Sequence, residues 1–110
     1  MNTLSANDVR ESMNSTEDTI LVNTLDADSF QAKHIPGSIN IPTAKIDNIA
    51  GTVLPDKNQE IIVYCANEDC TASPEAAEKL EGMGYTNVYD FEAGLSGWLK
   101  SKFDLVKKED

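Results

Sequence analysis

The stretch that most restricts what this chain can fold into is EIIVYCANEDCTASPEAAEKLEGMG, Glu60 to Gly84. It sets an apolar run, a cysteine, a polar loop and an amphipathic helix end to end. Ile61, Ile62, Val63 and Tyr64 are β-branched or aromatic with no polar alternation, the pattern of a central strand covered on both faces. Cys65 stands where that strand should end. Ser73-Pro74-Glu75 then predicts a helix start: a hydroxyl cap, a proline whose missing N–H costs nothing in the first turn, and an acid at the positive end of the dipole. Ala76, Ala77, Leu80 and Met83 share one face of that helix, and Gly82 and Gly84 supply its stop.

A thiolate is an anion, and loop amides together with a helix N-terminus stabilise anions and lower a thiol's pKa. In an open α/β sheet the carboxyl ends of the strands are also where ligands bind. Cys65 therefore reads as a nucleophile in a backbone-amide cradle. It reads equally as a buried cysteine behaving as a small hydrophobe, and this stretch alone leaves both open.

At 110 residues the chain is expected to form one domain, with a core over about residues 4–104 and a solvated tail over 105–110. Two cysteines close together in one loop do not make a disulfide framework, so a reducing, cytoplasmic setting is expected. The opening MNTLSANDVRESMN carries no apolar run, so neither a secretory signal nor a membrane span is read there. A formal net charge of −10 argues against nucleic acid or an anionic membrane as partner, because phosphate binding needs concentrated Lys and Arg. The plainer consequence of that charge is solubility.

Taken in order, Ser5 followed three residues later by Asp8, then Val9 and Met13, predicts a short capped helix. Ile20-Leu21-Val22 marks a strand over Thr19 to Asn23. Asp26 to Lys33 predicts a helical turn or two with Phe30 as its core anchor, and His34-Ile35-Pro36-Gly37 an irregular link. Ile39 to Ile41 gives a brief strand that Pro42 closes, Ile46 to Ala50 a weak helix, and Pro55 to Asn58 a turn. Asn87 to Asp90 reads as a strand, and Leu95 to Lys100 as a helix packing Leu95, Trp98 and Leu99. Strands alternating with helices imply an α/β fold: a small parallel sheet, mostly five-stranded, with helices on both faces and right-handed crossovers.

Three stretches in this order resemble the single-domain rhodaneses. ILVNTLDADSFQAKHIPGSINIP, Ile20 to Pro42, is similar to that family's opening block. IIVYC with the following loop and the SPEAAEKLEGMGY helix is similar to its catalytic strand, loop and helix. VYDFEAGLSGW, Val88 to Trp98, is similar to its closing glycine and tryptophan signature. The resemblance implies a sulfurtransferase in which Cys65 attacks the outer sulfur of a donor, holds it as a persulfide and passes it to a thiol or other nucleophile. This is covalent catalysis in two displacements. It implies a loop, Ala66, Asn67, Glu68, Asp69, Cys70, Thr71, Ala72 and Ser73, whose amides hold the terminal sulfur. No metal and no organic cofactor is implied.

The chain departs from that pattern. Asn23 and Leu25 stand where an Asp and an Arg are usual, Lys33 replaces the glycine before the histidine, and Ala93 the first glycine of the last block. The loop from Cys65 to Ala76 and Ala77 is longer than in the common sulfurtransferases. A wider ring need not focus its amides on one sulfur, and leaves room for a second group. Phosphatases of the cell-cycle type have a longer loop and use Cys-x5-Arg to clamp phosphate. Here that arginine position is Thr71, and Glu68 and Asp69 oppose a phosphate dianion and raise the thiol's pKa. The same charges disfavour thiosulfate, so a polysulfide or persulfide donor, or a sulfur-carrier protein, is the expected partner. Cys70 reads either as a resolving thiol able to pair with Cys65 or as a small residue anchoring the loop. His34 is expected to order its turn rather than bind metal, and Trp98 to be core or pocket wall. A rhodanese-like module that binds a partner or senses redox state through Cys65 and Cys70, without transfer activity, is the competing reading.

Overall fold

The computed structural model describes residues 4–14 and 19–107. Four parallel strands form the main sheet: β1 (Thr19–Asn23), β3 (Ile39–Asn40), β4 (Glu60–Tyr64) and β5 (Val88–Phe91), in the order β3-β1-β4-β5. Tyr64 lies opposite Asn23 on one side and Phe91 on the other. The expected parallel α/β sheet is present, with four strands among the described residues rather than five. Two further extended segments, β2 (Lys33–His34) and β6 (Val106–Lys107), pair antiparallel with each other. Leu105 also packs on the core. Residues 105–107, expected in a solvated tail, are thus tied to the domain, and 108–110 lie outside the described residues.

Successive residues of β4 point to opposite faces, as strand geometry requires. Ile61 and Val63 enter a core with Val22, Leu80 and the helices α3 (Ile46–Val53) and α4 (Ala72–Gly82). Ile62 and Tyr64 enter a second core with Leu21, Phe91, Trp98 and the helices α1 (Ala6–Asn14) and α5 (Gly94–Lys100). Helices therefore cover both faces, which is why β4 is apolar from Ile61 to Tyr64. Burying each such side chain contributes about 1.5–3 kcal/mol. Among the described residues no helix is long and apolar enough to cross a membrane.

Helix ends and helix packing follow the sequence with three exceptions. At α1 the Ser5 hydroxyl accepts from the Asp8 amide at 3.1 Å, and the Asp8 carboxylate accepts from the Ser5 amide at 3.0 Å, a reciprocal capping box. Asp26 caps α2 (Ala27–Ala32) by accepting from the Ser29 amide at 2.8 Å. At the far end of α4, Gly84 takes φ +98°, the Gly84 amide donates to Glu81 and the Tyr85 amide to Leu80. These two bonds close a Schellman motif. The first exception is Ser73, which lies inside α4 instead of capping it; the cap position falls on Thr71, whose side chain makes no capping bond. The second is Phe30, which is not a core anchor: α2 buries no residue, and the Phe30 ring stacks on His34 with centroids 3.9 Å apart. Leu99 is likewise exposed rather than packed, because the faces of α5 that reach the core carry Leu95 and Trp98.

Candidate functional site

The order in which strands are added to the main sheet reverses between β1 and β4: the path leads outward to β3 on one side and to β5 on the other. The carboxyl ends of the strands at such a switch point leave a crevice for ligands. Cys65 follows β4 directly at that point, and the loop to α4 folds over it. Two anchors fix the stem of the loop. The Leu95 amide donates to the Cys65 carbonyl and the Ser96 amide to the Ala66 carbonyl, both at 3.0 Å, so the first turn of α5 holds the strand exit. On the other side the Thr43 hydroxyl donates to the Ala72 carbonyl at 2.7 Å.

The loop brings Cys65, Cys70 and Ser73 together. The Cys65 thiol lies 3.6 Å from the Cys70 carbonyl, to which it donates, and 3.4 Å from the Ser73 hydroxyl. Ser73 is buried, which explains why its hydroxyl serves the site and not the helix end. Asn67 shapes the turn above: its side chain accepts from the Asp69 amide at 3.0 Å and its carbonyl from the Cys70 amide at 3.2 Å. Asn67, Glu68 and Asp69 are exposed on the rim. They face Ala93, Ser96, Gly97 and Lys100 across a cleft of about 310 Å³. Thr71, expected to replace a phosphate-binding arginine, is exposed; Ala66 and Ala72 are half-buried and contribute amides.

Electrostatics divides the two thiols in a way the sequence reading did not foresee. Cys65 is fully buried, and that burial, reinforced by Cys70, pushes its thiol up in spite of hydrogen bonds from Ser73. Loop amides were expected to lower it, and Glu68 and Asp69 to raise it; the rise comes instead from burial first and Cys70 next. For Cys70, partial burial also acts upward, but hydrogen bonds from Cys65 and from the Ala72 and Ala66 amides outweigh it and hold this thiol below its ordinary value. The wide ring thus divides its amides, that of Ser73 acting on Cys65 and those of Ala66 and Ala72 on Cys70. The second group it accommodates is the Cys70 side chain. Cys70 is half-buried, more accessible than Cys65 but partly covered by the loop.

The sequence reading passed over Asp90. Its side chain is 1% exposed, its charge acts on Cys70, and neither carboxyl oxygen has a hydrogen-bond partner, although Ser73 lies near enough to lower its pKa a little. Burial dominates, and with Glu92 nearby the carboxyl is pushed up. The available signal was a single acid inside the apolar run VYDF, since Asp is almost never fully buried unless paired. The folded state therefore holds this proton more tightly than the unfolded chain. The stability of the neutral form is fully present below about 3.8, the ordinary value, and is lost as pH rises through the folded value. Asp90→Asn is expected to raise the thermal midpoint by several degrees at pH 7 and to leave it unchanged near pH 4. Equal midpoints at pH 7 would show that the carboxylate is not destabilising.

The replaced family positions have local reasons. Asn23 donates from its amide to the Tyr64 hydroxyl at 3.1 Å and accepts from the Leu25 amide at 2.9 Å, so a neutral network stands where an ion pair was missed. Lys33 has φ −164°, extended backbone that needs no glycine. The His34 Nδ1 donates to the Phe30 carbonyl at 2.8 Å, which orders the end of α2. Trp98 is core: its indole donates to the Asp104 carbonyl at 2.8 Å and its ring meets Phe91 and Phe103 edge-on.

Comparison with known proteins agrees with this architecture. The chain is 39% identical over 61 residues to the thiosulfate sulfurtransferase PspE of Escherichia coli, covering 56% of this chain and 57% of that protein. It is 34% identical over 93 residues to the thiosulfate sulfurtransferase GlpE of Pseudoalteromonas translucida, covering 84% of each. The crystal structure of a thiosulfate sulfurtransferase from Pseudomonas aeruginosa superposes with a TM-score of 0.89 at 24% identity, over 98% of this chain and 20% of that one, a likeness of fold. The chain spans a little over half the length of PspE, and as little as 19% of longer curated relatives. The rhodanese-like domain model matches residues 5–101, the span that contains the sheet, the loop and α5, and the chain belongs to that family.

Proposed function

We propose that this protein is a sulfurtransferase of the rhodanese type, which moves a sulfane sulfur through a Cys65 persulfide to a thiol or other nucleophilic acceptor. The observation that carries this reading is the placement of Cys65 at the sheet's switch point, beneath a loop of amides and beside the start of α4. The names of the relatives PspE and GlpE support the same activity. Attack by Cys65 on the outer sulfur of a donor expels the donor's remaining fragment, and a second displacement by the acceptor regenerates the thiol, so ping-pong kinetics are expected. Burial of the intermediate protects it from stray thiols.

The donor we favour is a polysulfide, a persulfide or a sulfur-carrier protein. Exposed Glu68 and Asp69 on the rim and the net charge of −10 repel a small dianion. Thiosulfate is the second reading, on the strength of the two named relatives. Intact mass after incubation with each donor, followed by donor removal, tests both. One retained sulfur that cyanide removes and that Cys65→Ser no longer retains is the expected result, larger with polysulfide than with thiosulfate. No added sulfur with any donor, together with loss of two hydrogens, would replace this reading by a redox module.

A further inference from the structure

Resting on the sulfurtransferase reading, we propose that Cys70 is a second sulfur carrier: sulfur enters and leaves the protein on Cys70, and Cys65 holds it in the interior between the two transfers. Access sets the order. Cys65 is 0% exposed, sealed by the Cys70 carbonyl and Ser73, whereas Cys70 is only partly buried, on the loop's own turn. A donor therefore meets Cys70 first. The turn from Asn67 to Cys70, closed by two hydrogen bonds to Asn67, keeps the two residues in contact. The Ala66 and Ala72 amides act on the Cys70 sulfur, while the Ser73 amide in the first turn of α4 acts on Cys65. The same contacts make Cys70 the thiol that ionises first, and the thiolate is the attacking form.

The chemistry closes without an oxidant or reductant. The Cys70 thiolate attacks the outer sulfur of a donor R–S–SH. A bond forms from Cys70 Sγ to that sulfur, the donor's S–S bond breaks, and R–S⁻ departs with the electron pair. Cys65 then attacks the same terminal sulfur. Its bond to that sulfur forms, the Cys70 S–S bond breaks with its pair left on Cys70, and the Cys65 proton passes to the Cys70 sulfur. One sulfur and one proton have exchanged places, and net charge is unchanged. Discharge is the reverse, with the acceptor nucleophile attacking the terminal sulfur on Cys70.

The test is a quenched time course with polysulfide, in which persulfides are alkylated at once and located by mass spectrometry. Both cysteines fall between Lys57 and Lys79, but cleavage after Glu68 separates them. In the wild-type protein the added sulfur is expected on Cys70 first and on Cys65 later. In Cys70→Ser, loading of Cys65 is expected to slow by about tenfold or more, since the donor must reach a sealed, mostly protonated thiol. Cys65 labelled before Cys70, or Cys70→Ser loading at the wild-type rate, overturns the relay and leaves the Cys65 persulfide reading intact. Loss of two hydrogens with release of hydrosulfide overturns it in favour of disulfide closure. If the wild-type protein takes up no sulfur at all, the sulfurtransferase reading falls with it. The wild-type time course needs no variant, so a substitution that fails to fold does not decide the matter.

Discussion

Gly94→Ala is expected to destroy both the stability of the protein and its site. A methyl group built on Gly94 falls 2.1 Å from the Cys65 carbonyl oxygen and 2.8 Å from the carbonyl carbon. Both neighbours are backbone, so no side chain can rotate away. To regain an ordinary contact of about 3.5 Å the peptide after Cys65 must retreat by more than an ångström. That retreat breaks the bonds from Leu95 and Ser96 that hold the strand exit against α5. Gly94 also has φ +56°, a left-handed conformation that costs an alanine about 1–2 kcal/mol by itself. Together these place the loss at about 4 kcal/mol or more, the range reserved for a named steric or strain mechanism. Gly51 is the control. It sits in α3 with nothing within 4 Å of the added carbon, and Gly51→Ala is expected to gain about 0.5–1 kcal/mol. Urea denaturation of the two variants measures the contrast. A Gly94→Ala protein within about 1 kcal/mol of wild type would mean that α5 does not clamp the strand exit.

Tyr64→Phe is expected to cost more than about 2 kcal/mol although it removes one oxygen, because buried polar groups left unmet cost about 1–3 kcal/mol each. Tyr64 is fully buried and its hydroxyl accepts from the Asn23 amide at 3.1 Å and from the Ile35 backbone N–H at 3.0 Å. Ser38 lies 2.8 Å away and donates its own proton to the Ile35 carbonyl at 2.7 Å, so the Tyr64 proton must go to Ser38. Burial pushes the phenol up, which keeps that proton in place. With phenylalanine, the Ile35 N–H and an Asn23 N–H lose their acceptor inside the core. Since Tyr64 directly precedes Cys65, the damage is also expected to reach the loop as a slower sulfur uptake. A thermal midpoint within two or three degrees of wild type would show that this network contributes little, since 1 kcal/mol shifts a domain of about this size by roughly 4–8 °C.

These two residues show where a sequence stops being informative. Tyr64 was legible as the last residue of a buried strand, because β-branched and aromatic runs report burial. Its three polar partners come from Asn23, Ile35 and Ser38, far away along the chain, and no local pattern encodes that meeting. Gly94 was legible as part of a family-like block, yet its need to be glycine comes from Cys65, 29 positions earlier, pressed against its α-carbon. Ser73 misled for the same reason. Ser-Pro-Glu is a sound local cap, but a buried contact with Cys65 outweighed it and the helix began at Ala72. Phe30 and Leu99 were assigned to the core on apolarity alone, and which helix face meets the sheet is decided by packing.

What the sequence determined by itself is what short range controls: the apolar β4, the capping box at Ser5 and Asp8, the glycine stop of α4, the alternation of strands and helices, and hence a parallel α/β fold with Cys65 at a strand end. Hydrophobic period and end chemistry are written residue by residue, so they survive without coordinates. The tertiary structure alone decided the state of each thiol. Burial raises one, while contact with Cys65 and the Ala72 and Ala66 amides lowers the other against the opposing charge of Asp90, and these groups act together only because folding seats Cys70 over Cys65. Desolvation and hydrogen bonding act over a few ångströms of space, and neither depends on distance along the chain.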